Sequence, residues 1–168
     1  MAKLAETFLI EYLNRQGFAV AQSVKSGNRE WDVLAISGTS GAIQARHYEA
    51  QVSFDPVSYL SARSAVQRNS EEIERDMASW FEKKYEHPEI RTIRSHFFSG
   101  SWEYWFVHGV IKEQRELEWL RRRGVRLLTF REILANLCAL HPRELPFTAE
   151  GKDIVEIVRN MLRSEEGS

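Results

Sequence analysis

A single cysteine, Cys138, stands among 168 residues. No intramolecular disulfide can form, and the usual cysteine-based structural zinc sets are excluded. The five histidines show no zinc-type spacing. Neither sign of charge is in surplus: 23 Lys and Arg against 24 Asp and Glu leave a formal net charge of −1. That balance argues against an extended basic tail and confines any nucleic-acid surface to a local patch. No stretch is apolar enough to span a membrane, and the first residues, Met1 to Glu6, lack the apolar run of a signal peptide, so the expected location is cytoplasmic with no membrane partner. Walker loops, Rossmann glycine patterns and Gly-x-Ser-x-Gly elbows are missing, which leaves nucleotide-cofactor and serine-hydrolase chemistry without support. Internal repeats and low-complexity blocks are missing too.

What is present reads as a soluble globular chain: 43% hydrophobic, 28% charged, with five Trp and nine Phe. Its length suits one domain, 1–168, with a substantial core. Apolar residues from Leu4 to Leu13 recur at helical spacing, and Gly17 is a natural stop. Three strands are expected next, at 18–24, 31–36 and 47–53, separated by turns at Ser26-Gly27-Asn28 and at 37–41. Pro56 can open a helix, and residues 57–85 suit one kinked helix or two, with a fresh start at Ser70-Glu71-Glu72-Ile73. His87-Pro88 closes that region, and a loop is expected around Ser99-Gly100-Ser101. A strongly aromatic and β-branched strand follows at 103–111. A short helix at 113–123 stops at Gly124, a strand covers 125–128, and Thr129 with Glu132 fits a capping box. Ile133 to Cys138 has a helical apolar pattern, which suggests a buried, inert thiol. A last amphipathic helix carries Ile154, Ile157, Val158, Met161 and Leu162 before a frayed tail.

The residues with the clearest chemistry lie in the second and third strands. Asp32 opens the run Trp31-Asp32-Val33-Leu34-Ala35-Ile36. In the third strand, alternation puts His47, Glu49, Gln51 and Ser53 on one side and Tyr48, Ala50 and Val52 on the other. If the two strands are neighbours, Asp32 and Glu49 can converge on one hard divalent cation, which prefers carboxylate oxygens. Blander readings stand beside this one. Asp32 also fits a strand-opening acid bonded to the preceding turn, and Glu49 with Gln51 also fits a solvated strand face.

This element order, with Asp opening the second strand and Glu-x-Gln on the third, resembles the PD-(D/E)xK nuclease superfamily and its archaeal Holliday-junction resolvases. The resemblance covers roughly residues 3 to 130. It implies an α/β, restriction-endonuclease-like fold: a central mixed β-sheet flanked by helices (αβββαβ core), with a C-terminal helical extension at about 131–163. It implies Mg²⁺ or Mn²⁺ bound by Asp32 and Glu49, Gln51 in the place of the motif lysine, and Glu6 as a further metal contact. It also implies hydrolysis of DNA phosphodiesters, and members of the fold often work as dimers, so a homodimer is the implied assembly. Two positions depart from the family pattern: Trp31 stands where a proline often precedes the aspartate, and Gln51 replaces lysine. Glutamine carries no charge but can orient water through its amide. A lysine could reach in from elsewhere, with Lys25 at the end of the first strand as the candidate.

Further residues suit the substrate. Arg63, Gln67 and Arg68 fall on one side of the helix expected after the Glu49 strand, and His47 shares the Glu49 face. Arg121-Arg122-Arg123 complements a helix C-terminus and could also meet phosphate. His108 fits a satisfied sheet residue better than a ligand. Two other functions fit the same sequence: a catalytically silent member of the fold that binds nucleic acid or protein, and a dimerisation module built on the aromatic strand at 102–111.

Overall fold

The computed structural model describes residues 2–38, 41–53, 57–61 and 68–139. Within it, α1 (Ala2–Arg15) is the expected first helix, and Gly17, at φ 80°, turns the chain out of it. Strands β1 (Ala19–Ser26), β2 (Arg29–Ser37) and β3 (Gln44–Gln51) follow as an antiparallel meander, with Gly27 at φ 55° in the first turn. Strands β4 (Glu103–His108) and β5 (Arg126–Thr129) then add in parallel. The result is a five-stranded mixed sheet in the order β1-β2-β3-β4-β5, flanked by helices. Parallel neighbours need long crossovers, and the one from β3 to β4 holds α2 (Ser70–Phe81), a π-helical turn (Glu82–Glu86) and α3 (Pro88–Phe97). The crossover from β4 to β5 holds α4 (Gln114–Arg122).

The two sheet faces are covered by different elements. On the Tyr48 side lies α1, which buries Ala5, Phe8, Leu9 and Leu13 and places Tyr12 near Tyr48. On the Glu49 side, Phe106 packs with Ile73, Met77, Tyr85, Leu117, Trp119 and Leu120. Trp80 meets Phe106 edge-on at 5.5 Å. A smaller cluster of Trp31, Leu34 and Ile90 ties α3 to β2. The dense aromatic packing on the Glu49 side keeps water from its central strands, so a polar group there needs a partner.

Several expectations change. Residues 57–61 do not begin a helix. Val57 forms a parallel bridge with Ile111, donating to the Val110 carbonyl at 2.9 Å and accepting from Lys112 at 2.9 Å. The helix starts at Ser70, where Asn69 and Glu72 make a reciprocal capping box at 2.9 Å each way. Pro88 occupies the first turn of α3 rather than closing a region, because its missing N–H and fixed φ suit that position. The aromatic strand is β4, paired on both sides by β3 and β5. It offers no edge for another chain to pair with. Cys138, in α5 (Phe130–Ala139), is half-buried rather than enclosed.

The chain divides into a unit spanning Met1–Phe130 and a second spanning Arg131–Ser168. Of the second, only 131–139 are described; the helix expected around Ile154 to Leu162 lies outside the described residues, as does Pro56. No helix among the described residues is long and apolar enough to cross a membrane.

Candidate metal and phosphate site

Strand pairing brings the two acids together. The β2–β3 register runs to Val33 opposite Tyr48, and one further step places Asp32 opposite Glu49 on the same face. The Ala50 backbone N–H donates to Asp32 Oδ2 at 2.7 Å, locking the carboxylate against β3. Across the other edge of β2, the ladder lapses at Ser23, between the Gln22–Val33 and Val24–Trp31 pairs. Ser23 has φ 47°, a left-handed conformation that costs a non-glycine residue energy, directly across from Asp32.

Glu49 is fully enclosed, and both of its oxygens have neighbours. Lys84 Nζ forms an ion pair with Oε2 at 2.5 Å, and His47 Nε2 lies 3.2 Å from Oε1. The His47 tautomer follows from its other contact. Arg94 Nη1 approaches His47 Nδ1 at 3.4 Å, and a guanidinium only donates, so Nδ1 accepts and the proton sits on Nε2, pointing at Glu49. Burial, then the charges of Arg94 and Lys84, hold the imidazole well below its ordinary pKa, so it is neutral as this tautomer requires. Behind it, Arg94 lies over the Tyr104 ring at 5.0 Å, and the Tyr104 hydroxyl donates to Glu86.

The two carboxyls hold protons more strongly than usual. Burial and the neighbouring Glu49 charge push Asp32 up to about 6, against the pull of the Ala50 N–H and Lys84. Burial pushes Glu49 up to about 7, with Lys84 pulling back. Lys84 is drawn the other way: its burial is outweighed by Glu49 and Asp32, which raise its pKa and keep it charged. Two carboxyls thus share one ammonium, and perturbed acids meeting at a strand end are a functional signature.

Lys84 is the residue the sequence reading missed. It lies in the π turn, whose wider winding sets Lys84 against Glu49 and Tyr85 against His47, with the His47 and Tyr85 rings 5.0 Å apart. A signal existed: Ile73, Met77 and Trp80 form the buried stripe of α2, and the next position at helical spacing is Lys84. A lysine in a core stripe needs an acid inside.

The expected residues are placed as follows. Asp32, Glu49 and His47 come together, but His47 is wholly enclosed, so it supports Glu49 and cannot touch substrate. Gln51 is half-buried at the end of β3, and its carbonyl accepts from Gly109 N at 3.3 Å. Lys25 does not reach the acids; its ammonium pairs with Glu30 at 3.2 Å on the exposed hairpin. Glu6 lies on α1, on the opposite face. Arg68 is not a substrate contact. It is buried, bonded to Glu116 at 2.7 Å and Asp76 at 3.0 Å, and stacked on Tyr59. Arg63 and Gln67 lie outside the described residues. His108 is a sheet residue as expected, donating from Nδ1 to the Gly109 carbonyl at 2.8 Å and stacked on Phe106.

A cleft of about 640 Å³ opens beside the acids, lined by the Ser26–Arg29 turn, Glu30, Trp31, Lys83, Lys84 and Glu89. The amine of Lys84 therefore links the cleft wall to Glu49.

No family model matches this chain, and no curated protein matches it. Among solved structures, it is similar to the crystal structure of a protein of unknown function, AF1548. The two are 17% identical with a TM-score of 0.48, over 93% of this chain and 79% of that one.

Proposed function

We propose that the chain is a nuclease of restriction-endonuclease-like fold that hydrolyses DNA phosphodiesters with Mg²⁺ or Mn²⁺. The observation that carries this reading is the meeting of Asp32, Glu49 and Lys84 at one end of β3, two acids and a lysine on one sheet face. The donor set fits a hard cation. Mg²⁺ is commonly held by one or two carboxylates, with water and phosphate oxygens completing its shell. Burial holds both carboxyls towards protonation, and a bound cation would favour their charged forms.

Asp32 and Glu49 would be the ligands. When bound, the ion polarises the phosphate and lowers the pKa of its water. The protein's own share is positional. Ala50 N–H fixes Asp32, His47 Nε2–H fixes one oxygen of Glu49, and Arg94 fixes His47. Lys84 keeps a positive charge where negative charge builds on the phosphate, the part Gln51 cannot play.

The test is cleavage of labelled linear and four-way-junction DNA with each metal, wild type beside Asp32→Ala and Glu49→Ala. Cleavage by the wild type alone supports the reading; equal background in all three overturns it. A second reading, a silent nucleic-acid- or protein-binding module, is favoured by one observation: Glu49 already has protein neighbours, His47 hydrogen-bonded at Oε1 and Lys84 paired with its charge at Oε2.

A further inference from the structure

The cleft beside the acids has its own charge pattern. Glu30 pairs with Lys25 at 3.2 Å, and Glu89 lies 3.9 Å from Arg29 across the opening between hairpin and α3, its Oε2 making no hydrogen bond. Lys84 is matched by Glu49. Lys83 is not. It is exposed on the cleft wall and, among the described residues, makes no ion pair or hydrogen bond. The cleft thus carries one surplus positive charge, next in sequence to the lysine that reaches the acids.

We infer that this cleft binds a single phosphodiester strand, with Lys83 on one wall and Arg29 on the hairpin contacting phosphates that flank the one at Asp32 and Glu49. The inference rests on the nuclease reading for its orientation, but strand binding can be measured without cleavage. Size suits that occupant: about 640 Å³ is the volume of a small-ligand site, enough for part of one strand. Charge selects the contact. Arg29 is loosely held at 3.9 Å, so a phosphate can take its guanidinium without breaking a close pair. An ion on the acids would also free Lys84 from Glu49, adding a second surplus cation to the same wall.

The experiment is fluorescence anisotropy of a labelled single-stranded oligonucleotide with the full chain in Ca²⁺, at several salt concentrations. Wild type is compared with Lys83→Ala, Arg29→Ala and a control, Arg75→Ala, on an exposed position of α2. The expected result is a several-fold weaker affinity for each cleft variant. The salt slope should fall by about 0.7 for each phosphate that a variant no longer neutralises. The control should keep both affinity and slope. Equal affinity and slope in wild type and Lys83→Ala overturn the inference, as does an equal loss in the control or no binding at all. A duplex bound more tightly than the single strand, with the same dependence on Lys83, overturns the single-strand assignment. Lys83-dependent binding without cleavage in Mg²⁺ or Mn²⁺ keeps the cleft and sinks the nuclease. Cleavage with an unchanged KM in Lys83→Ala keeps the nuclease and sinks the cleft.

Discussion

Two buried glutamates sit on this fold, and their surroundings differ in one respect that separates structure from chemistry. Glu116, on α4, accepts from Leu60 N at 2.6 Å, Ser61 N at 3.3 Å, Ser61 Oγ at 2.7 Å and Arg68 Nη2 at 2.7 Å. Arg68 is shared with Asp76 and stacks on Tyr59. Both Glu116 oxygens are answered in that network, which leaves only Arg68 Nε without a partner and clamps residues 57–61 and the start of α2 onto α4. Glu49 accepts from His47 and meets Lys84, but a second acid stands beside it with no further cation. A site with donors to spare is a joint. A site short of positive charge is built to receive it.

Stability measurements can break that contrast. Glu116→Ala leaves Arg68 buried without its main partner and should cost about 3–5 kcal/mol. Glu49→Ala should cost less, about 1–3 kcal/mol, because it removes the repulsion on Asp32 while leaving His47 Nε2–H without its acceptor. Lys84, whose side chain is 28% exposed, can turn into the cleft and rehydrate. Urea unfolding of both variants at pH 7 checks this, and equal losses would end the distinction between joint and site.

Activity sharpens the same contrast from the other side. Lys84→Met should lower DNA cleavage by about 10²–10³-fold, the usual effect of removing one preorganised positive group. Gln51→Lys in that background should restore part of the rate, since Gln51 lies two residues from Glu49 on the same face. Single-turnover rates decide it. A Lys84→Met enzyme with the wild-type rate would make the Lys84–Glu49 pair structural after all.

How much of this could be read from the sequence depends on the distance over which each feature is encoded. The meander, β4, α4 and β5 follow local alternation, helical spacing and turn glycines, and all were legible. So was the meeting of Asp32 with Glu49, because adjacent antiparallel strands fix it. The helix α3 was not, since Glu89, Arg91, Arg94 and Ser95 dilute its apolar stripe and Pro88 reads equally well as a stop. Residues 57–61 misled because their shape is imposed by Ile111 and Glu116, more than fifty positions away. Lys84 was hidden for a related reason: a π turn sets its direction, and its acid lies on a strand thirty-five residues earlier. Glu49's partner was therefore sought nearby, in Lys25, where the real pairing is a local one with Glu30.

pH separates the two sites by sign. Asp32 and Glu49 hold protons to about 6 and about 7 in the folded chain, but lose them from 3.8 and 4.5 when unfolded. The unfolded state therefore binds fewer protons over that window, and stability falls as pH rises, levelling off above about 7. The expected loss from pH 5 to 7 is about 1–3 kcal/mol. Asp76 and Glu113, whose pKa values are lowered by Arg68 and Arg115, act oppositely but have finished by pH 5, whereas His47, held well below its ordinary pKa, acts oppositely between about 5 and 7 and offsets part of the decline. Asp32→Asn keeps an acceptor for Ala50 N–H and removes one charge, so it should flatten the decline and stabilise the protein at pH 7. Urea midpoints with the same pH dependence between 5 and 7 in wild type and Asp32→Asn would contradict the raised Asp32 carboxyl.

The smallest expected effect lies one strand further out, at Ser23. A serine at φ 47° is strained by its Cβ, and glycine is not, so Ser23→Gly should gain about 1 kcal/mol despite its more flexible unfolded chain. No comparable left-handed non-glycine residue occurs among the described residues, including those around Glu116, so the strain belongs to the Asp32 side alone. If it serves only the turn of the strand, Ser23→Gly is more stable and cleaves DNA as the wild type does. If it sets the approach of β1 to Asp32, the variant gains stability and loses rate together. Melting temperature and single-turnover cleavage on the same sample tell these apart. A variant no more stable than wild type would mean that the β1–β2 ladder holds Ser23 without cost.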